Sequence, residues 1–309
     1  MKISIIIPTK NRSENIEKCL EHIIKASYNL IDKEIIVVDG SDNASEQRKT
    51  ETIVNMFGEK YYFASKSNVS MARNIGIKKS LGDILVFADD DFVVDKNWII
   101  NLIINYQNPK VVCCTGRMLS YRNDEASKLY EESMSFDRGS SHLVFTRKEI
   151  NILNLLKTVT KIGNKRLLDK TPVPWAVGYG FYSFRKDIFD RVGYFDTRLG
   201  RGTLAVGGED PDIFYRILKT GEIIVYEPTA VIFHNHRQDI NAILKDAYNS
   251  GISVRSLTKK YFKKGDLYMF CCFIGHFFLL SFSLIKSLNR KDKNFSRMIK
   301  FELLGLLGC

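Results

Sequence analysis

The chain has 309 residues, 45% hydrophobic and 26% charged, an ordinary globular composition with enough length to bury a core in one large or two smaller domains. Its formal net charge of +11 and pI of about 9.2 point to anionic partners: nucleotides, nucleic acid or an anionic membrane. The six Cys, with adjacent pairs at Cys113–Cys114 and Cys271–Cys272 and no C-x-x-C, exclude a disulfide framework and fit reduced thiols in the cytosol.

The opening "MKISIIIPTKNR" leaves five residues between Lys2 and Pro8, too short for the apolar region of a signal peptide. The first 115 residues then alternate apolar runs with helical spacing. "ISIII" (3–7), "EIIVV" (34–38), "KYYFA" (60–64), "ILVFA" (84–88) and "KVVCCT" (110–115) read as strands; 13–28, 45–57, 70–81 and 96–107 read as helices. Continuous apolar strands separated by helix-length segments predict a mostly parallel sheet covered on both faces. Ligands of such sheets bind beyond the carboxyl ends of the strands, where Asp39 and Asp89 fall.

Residues 118–170 are polar and irregular, with one helix expected near 148–158. An ordered region resumes at 171, followed by a glycine-rich stretch, two strands at 223–226 and 230–236, and a helix at 238–260. Residues 255–300 hold eleven Lys or Arg against two Asp, so most of the net charge sits in the tail, which reads as a separate device. Within it, 267–285 carries no formal charge and as a helix would be about 28 Å long, close to a bilayer core of about 30 Å. A buried core helix would look the same. Basic clusters at both ends, "KKYFKK" and "KSLNRKDK", fit a helix lying in an anionic leaflet better than a single crossing. Residues 255–309 are therefore expected to hold the protein to the cytoplasmic face of a membrane.

The chemistry lies in short polar clusters. "LVFADDDFVVD" (85–95) sets Asp89, Asp90 and Asp91 at a strand end, where three adjacent carboxylates repel unless a cation such as Mg²⁺ or Mn²⁺ neutralises them. Asp39 in "VVDGSDN" is placed either to bind a ribose or base or to close an Asx-turn with Gly40. "SNVSMARNIGI" starts a helix whose N-terminus and Arg73 suit a diphosphate, or is an ordinary Ser-capped helix. In "GGEDPDIF", Asp210 is either an N-cap or a general base at a loop–helix junction. "FHNH" puts His234 and His236 on one side of a strand, where a neutral imidazole could join a metal shell.

In this order, "IIIPTKNR", "EIIVVDGSDN", "SMARNIGIKKSLGDILVFADDDF", "GYGFYSFRKDIFDRVGYFDTRLG", "GGEDPDIFYRIL" and "VIFHNHR" resemble the family 2 glycosyltransferases of the inverting, GT-A type. The likeness spans roughly residues 3–237 and leaves out the tail. It implies an α/β GT-A fold: a nucleotide-sugar-binding half (1–117), an acceptor and catalytic half (118–237) and a helical tail (238–309). It further implies sugar transfer from a nucleotide-diphosphate donor to a glycan or lipid-linked acceptor, with Mg²⁺ or Mn²⁺ and no nucleic-acid partner. Carried over by position, Pro8, Thr9 and Asp39 line the nucleoside pocket and Arg73 lies near the base or diphosphate. Asp89 and Asp90 belong to the donor site. Asp91, with Asp89 and His234, holds the metal, with His236 in reserve. Asp210 is the base and Glu209 touches a sugar; Trp175, Gly178, Tyr179 and Gly180 shape the sugar pocket. Three other classes compete. A haloacid-dehalogenase-type phosphotransferase needs its D-x-D on the first strand, and a nucleotidyltransferase needs glycine after that strand, which "PTKNRSEN" lacks. A non-catalytic sugar-binding protein has no need of Asp91, Asp210 and His234 together.

Overall fold

The structure, a computed structural model, describes residues 1–27, 32–134, 136–149, 174–289 and 292–308. Its first half follows the apolar rhythm of the chain. Strands β1 (Ile3–Thr9), β2 (Lys33–Asp39), β3 (Lys60–Phe63) and β4 (Ile84–Phe87) run parallel in the order β3-β2-β1-β4. Helices α1 (Ser13–Ala26), α2 (Ala44–Met56) and α3 (Val69–Lys79) make the crossovers. Alternate strand residues enter different cores: Ile5, Val37 and Val86 pack into one, Ile6, Leu85 and Phe87 into another. This two-sided burial is why the strands read as unbroken apolar runs.

Beyond β4 the expected parallel order changes. The fifth apolar run becomes β6 (Val111–Ser120), but β8 (Tyr182–Arg185) inserts between β4 and β6, antiparallel to both. The two strands expected at 223–226 and 230–236 are one, β9 (Ile223–His234), parallel to β6. Its register jumps from Glu227 opposite Gly116 to Val231 opposite Arg117. Pro228 lies in that bulge, where its missing N–H costs no ladder bond. Two short strands, β5 (Phe92–Val94) and β7 (Leu143–Phe145), pair antiparallel with β9. The sheet is thus parallel in its N-terminal half and mixed in the other.

Helix α4 (Trp98–Ile103) ends in a 3-10 turn, and α5 (Glu125–Met134) orders part of a stretch that carried no clear signal. The helix expected near 148–158 falls almost wholly outside the described residues. Two further helices, α6 (Ile188–Val192) and α7 (Glu209–Thr220), precede the tail.

The tail is three helices, α8 (Ile240–Phe262), α9 (Leu267–Asn289) and α10 (Lys293–Leu307). It is no separate device. Tyr261, Met269, Leu280 and Met298 share one core with Trp175, Leu199 and Tyr215. Where α8 and α10 cross, a Cβ on Gly251 would lie 2.1 Å from the Glu302 carbonyl oxygen, and one on Gly305 2.0 Å from that of Tyr248. Asp212, fully buried on α7, accepts from Tyr261 Oη at 2.9 Å and pairs with Lys260. Helix α9 is two-faced. Met269, Cys272 and Leu280 are buried, whereas Phe270, Ile274, Phe278, Phe282 and Ile285, spaced three or four apart, are 37–58% exposed. It is long and apolar enough to cross a membrane, yet one side is committed to protein.

Candidate active site

The C-terminal ends of β1, β2 and β4, the end of β9 and the start of α7 surround a cleft of about 1300 Å³. The chain turns sharply after β4, so the three consecutive carboxylates fan out to different partners. Asp90 is the most buried; it accepts from Thr9 Oγ1 at 2.7 Å and pairs with Arg12 at 2.6 Å, locking the ends of β1 and β4 together. Asp91 takes the other Arg12 nitrogen at 2.8 Å. Asp89 turns to Arg73, 3.4 Å away. Burial, against the pull of Arg12, pushes Asp90 up to about 7. The recessed position of Asp89 raises it to about 6, with Arg73 opposing and Asp91 adding to the rise.

Arg73 stands at the centre. It is buried on α3, whose cap is Asn68 rather than Ser70; Ser70 donates instead to the Leu199 carbonyl. One Arg73 nitrogen reaches Glu209 at 3.0 Å and Asp210 at 2.9 Å. Asp210 also accepts from Tyr182 Oη at 2.6 Å and from the Gly180 backbone N–H at 2.9 Å. Its side chain caps nothing: α7 starts at Glu209 after Gly208, whose φ of +91° suits glycine. Both acids sit in the first turn of α7, where the helix dipole favours negative charge. Glu209 is raised to about 7, by burial first and then by the charge of Asp210, with Arg73 opposing. Gly180, at φ +61°, has no room for a side chain: a Cβ there would lie 2.9 Å from an Asp89 carboxylate oxygen.

Pairing of β5 with β9 sets Phe92 opposite His234, which brings the His234 ring beside Asp91, Nε2 3.8 Å from Oδ1. That Asp91 oxygen is buried and accepts no hydrogen bond. Burial lowers His234 to about 4, against the pull of Asp91, so the ring is neutral, as a metal ligand must be. An unbonded carboxylate oxygen facing a neutral imidazole fits one divalent cation. Among the described residues no group of three or more His, Cys, Asp or Glu gathers as a metal cage, so most of such a cation's ligands would come from phosphate and water, the habit of Mg²⁺ and Mn²⁺. His236 is turned elsewhere: Nδ1 faces His234 Nδ1 at 2.9 Å and Nε2 faces Glu131 at 3.0 Å. It orients the first histidine and has no ring nitrogen left for a metal.

Of the remaining expected residues, Pro8, Thr9, Trp175, Tyr179 and Gly180 line the cleft. Asp39 and Gly178 stand behind its wall. Asp39 is fully buried and closes the Asx-turn, accepting from the Ser41 N–H at 2.8 Å and from Tyr61 Oη at 3.0 Å. Gly178 packs on Thr115, 2.8 Å from where its Cβ would be. Three contributors escaped the sequence reading: Arg12, Tyr182 and Arg201. Arg12 alone had a local signal, as the basic residue closing "PTKNR" after β1.

The geometry has counterparts in known proteins. Residues 4–193 match the family model described as glycosyl transferase family 2. A glucosyl-dolichyl phosphate glucuronosyltransferase of Haloferax volcanii is 23% identical over 277 residues, 86% of this chain and 80% of that protein. A pre-mycofactocin glycosyltransferase of Mycobacterium tuberculosis is 21% identical over 81% of this chain, which spans 46% of it. Among solved structures, a mannosyltransferase of Pyrobaculum calidifontis in complex with GDP-Man and Mn²⁺ superposes with a TM-score of 0.63 at 14% identity, over 99% of this chain and 86% of that one. GalNAc-T7 with UDP, GalNAc and Mn²⁺ gives 0.52 at 15% identity, over 77% and 44%. These are GT-A glycosyltransferases, and the mixed sheet here is that fold. With the family model covering well over half its length, the chain belongs to glycosyl transferase family 2 and is a glycosyltransferase.

Proposed function

We propose that the protein transfers a sugar from a nucleotide-diphosphate donor to a hydroxyl of a glycan or lipid-linked glycan, inverting the anomeric centre, with Asp210 as base. The observation that carries this reading is the setting of Asp210, a carboxylate at the cleft wall fixed by Arg73, Tyr182 and Gly180. Three fixed donors hold its orientation, so little reorganisation is needed when it takes the proton of the attacking hydroxyl. One base on the face opposite the leaving group suits single displacement. Glu209, raised to about 7, can present a neutral carboxyl that donates to a sugar hydroxyl.

On the donor side, Pro8, Thr9 and the turn that Asp39 closes shape the nucleoside pocket. Trp175, Tyr179 and Gly180 bound the space for the sugars, with Gly178 seating that loop on β6. Asp91 and His234 would hold Mg²⁺ or Mn²⁺, with Asp89 close by; the ion supplies Lewis-acid stabilisation of the departing diphosphate. Arg73 positions the three carboxylates around it rather than the diphosphate. The exposed apolar row of α9, flanked by Lys263, Lys264 and Lys286, lies against an anionic membrane surface on the cytoplasmic side. The relatives that act on dolichyl-linked sugar or bind GDP-Man or UDP with Mn²⁺ support this reading.

A thermal-shift screen of nucleotide diphosphates and nucleotide sugars, with and without Mn²⁺, tests it. Stabilisation follows affinity by mass action. A metal-dependent rise with one nucleotide names the donor; no rise with any of them sinks the proposal.

A further inference from the structure

We infer that Glu131, on α5, is a positioning residue for the metal: through His236 it fixes which nitrogen of His234 carries the proton, and so keeps His234 Nε2 bare for Mg²⁺ or Mn²⁺. The inference rests on the metal site of the sugar-transfer reading and adds to it the residue that prepares that site.

Four side chains stand in one file. Glu131 Oε2 faces His236 Nε2 at 3.0 Å, His236 Nδ1 faces His234 Nδ1 at 2.9 Å, and His234 Nε2 looks toward Asp91 Oδ1, 3.8 Å away. An ionised carboxylate only accepts, so His236 Nε2 carries a hydrogen. With one proton per ring, His236 Nδ1 is then bare. Two ring nitrogens at 2.9 Å need one proton between them, and His234 Nδ1 has to supply it. His234 Nε2 is left bare. The far end of the file agrees. Asp91 Oδ1 is buried and accepts no hydrogen bond, so a lone pair on nitrogen faces a lone pair on oxygen. The two repel each other unless a cation stands between them.

Each member of the file is held in place. The other oxygen of Glu131 accepts from the Asp137 N–H at 2.7 Å, and Asp137 takes both Nε and Nη2 of Arg117 on β6. Phe136 packs on both imidazoles, its ring centroid 5.6 Å from that of His234 and 5.5 Å from that of His236. Tyr130 lies against His236 at 5.3 Å. His236 is 2% exposed, so water does not compete for its nitrogens. A carboxylate behind an imidazole also raises the basicity of the nitrogen that meets the metal.

The Asp137 contact makes one substitution diagnostic. In Glu131→Gln the amide carbonyl stays on the Asp137 N–H, which turns the NH₂ group toward His236 Nε2. That nitrogen must then be bare, so the His236 proton moves to Nδ1. It is donated to His234 Nδ1, and the His234 proton moves to Nε2, where the metal would bind. Glu131→Gln thus keeps every hydrogen bond of the file and inverts its direction. Glu131→Ala only releases it.

The test uses the full-length protein. The chain has five His, few enough to assign in ¹⁵N–¹H spectra of the metal-free, histidine-labelled protein at about pH 8. Wild type should show His234 with its proton on Nδ1 and His236 with its proton on Nε2, and Glu131→Gln should show both reversed. Mn²⁺ affinity, read from the free-ion EPR signal with UDP and with GDP, should fall about tenfold or more in Glu131→Gln and less in Glu131→Ala. A merely structural role would give the opposite order, because Ala loses the contacts that Gln keeps. The inference is overturned if His234 carries its proton on Nε2 in wild type, if Glu131→Gln binds Mn²⁺ as wild type does, or if Glu131→Ala is the worse of the two. Wild type that binds neither nucleotide, with or without Mn²⁺, sinks the sugar-transfer reading itself. Normal Mn²⁺ and nucleotide binding that is indifferent to Glu131 sinks only this one.

Discussion

Arg73 and Asp210 are 137 residues apart in sequence and 2.9 Å apart in space, and the same guanidinium reaches Glu209 and Asp89. One buried cation therefore holds the start of α7 to the end of β4. Arg73→Met should strand two buried carboxylates, Glu209 and Asp210, and release the more open Asp89. Removing one partner of a buried ion pair costs about 3–5 kcal/mol. Urea unfolding should show a loss of that order, with turnover lost as well.

Asp210→Asn should behave differently. The amide oxygen in the place of Oδ1 can still accept from Arg73 and Tyr182 while only the Gly180 N–H loses its acceptor, so fold and donor binding should persist. Sugar transfer should fall about 10²–10⁴-fold, the usual worth of a general base. Full turnover by this variant would remove Asp210 from the chemistry.

The proposed metal site separates two histidines that the sequence presents alike. His234→Ala should abolish the Mn²⁺-dependent thermal shift with nucleotide diphosphate. His236→Ala removes only an orienting partner and should weaken metal affinity about 10–100-fold. Equal effects of the two would contradict this division of roles.

Proton uptake offers another check. Burial raises Glu209 and Asp90 to about 7 and Asp89 to about 6. A carboxyl with a raised folded pKa contributes stability that is present below the ordinary carboxylate range and lost as pH rises through 6–7. The metal-free protein should melt higher at about pH 5.5 than at about pH 7.5. The added rise from Mn²⁺ with nucleotide diphosphate should be larger at the higher pH, because binding needs ionised carboxylates. Scanning calorimetry at both values decides it.

The membrane reading needs substitutions rather than truncation, since deleting the tail would strip the core shared with Tyr215 and Trp175. Phe278→Ser/Phe282→Ser alters only exposed positions. It should keep the melting temperature and lose co-sedimentation with vesicles containing about a third anionic lipid. Unchanged sedimentation would refute contact through this row.

The parallel half of the fold was legible because β1, β2 and β4 are buried on both faces and advertise it in every residue. The acids, histidines and glycine-rich turn of the site were legible as types. Their pairings were not. Which of Asp89, Asp90 and Asp91 meets Arg12 or Arg73 depends on a turn after β4 that no periodicity encodes. The insertion of β8 beside β4 is a long-range choice, and Tyr182 enters the site only through it. In α9, Phe278 and Met269 look alike as letters; only packing tells an exposed face from a buried one.

The near-touching backbones at Gly251 and Gly305 have a consequence for biosynthesis. Helix α8 walls the cleft, but the partner it crosses most closely is α10, the last helix described. During synthesis the parallel half can fold early, while the cleft wall supplied by α8 must wait until residues 293–307 have left the ribosome. A nascent chain stalled before that point would hold the strand-end side of the cleft without its α8 wall. Such an order would keep a half-made enzyme from turning over before its cleft is complete.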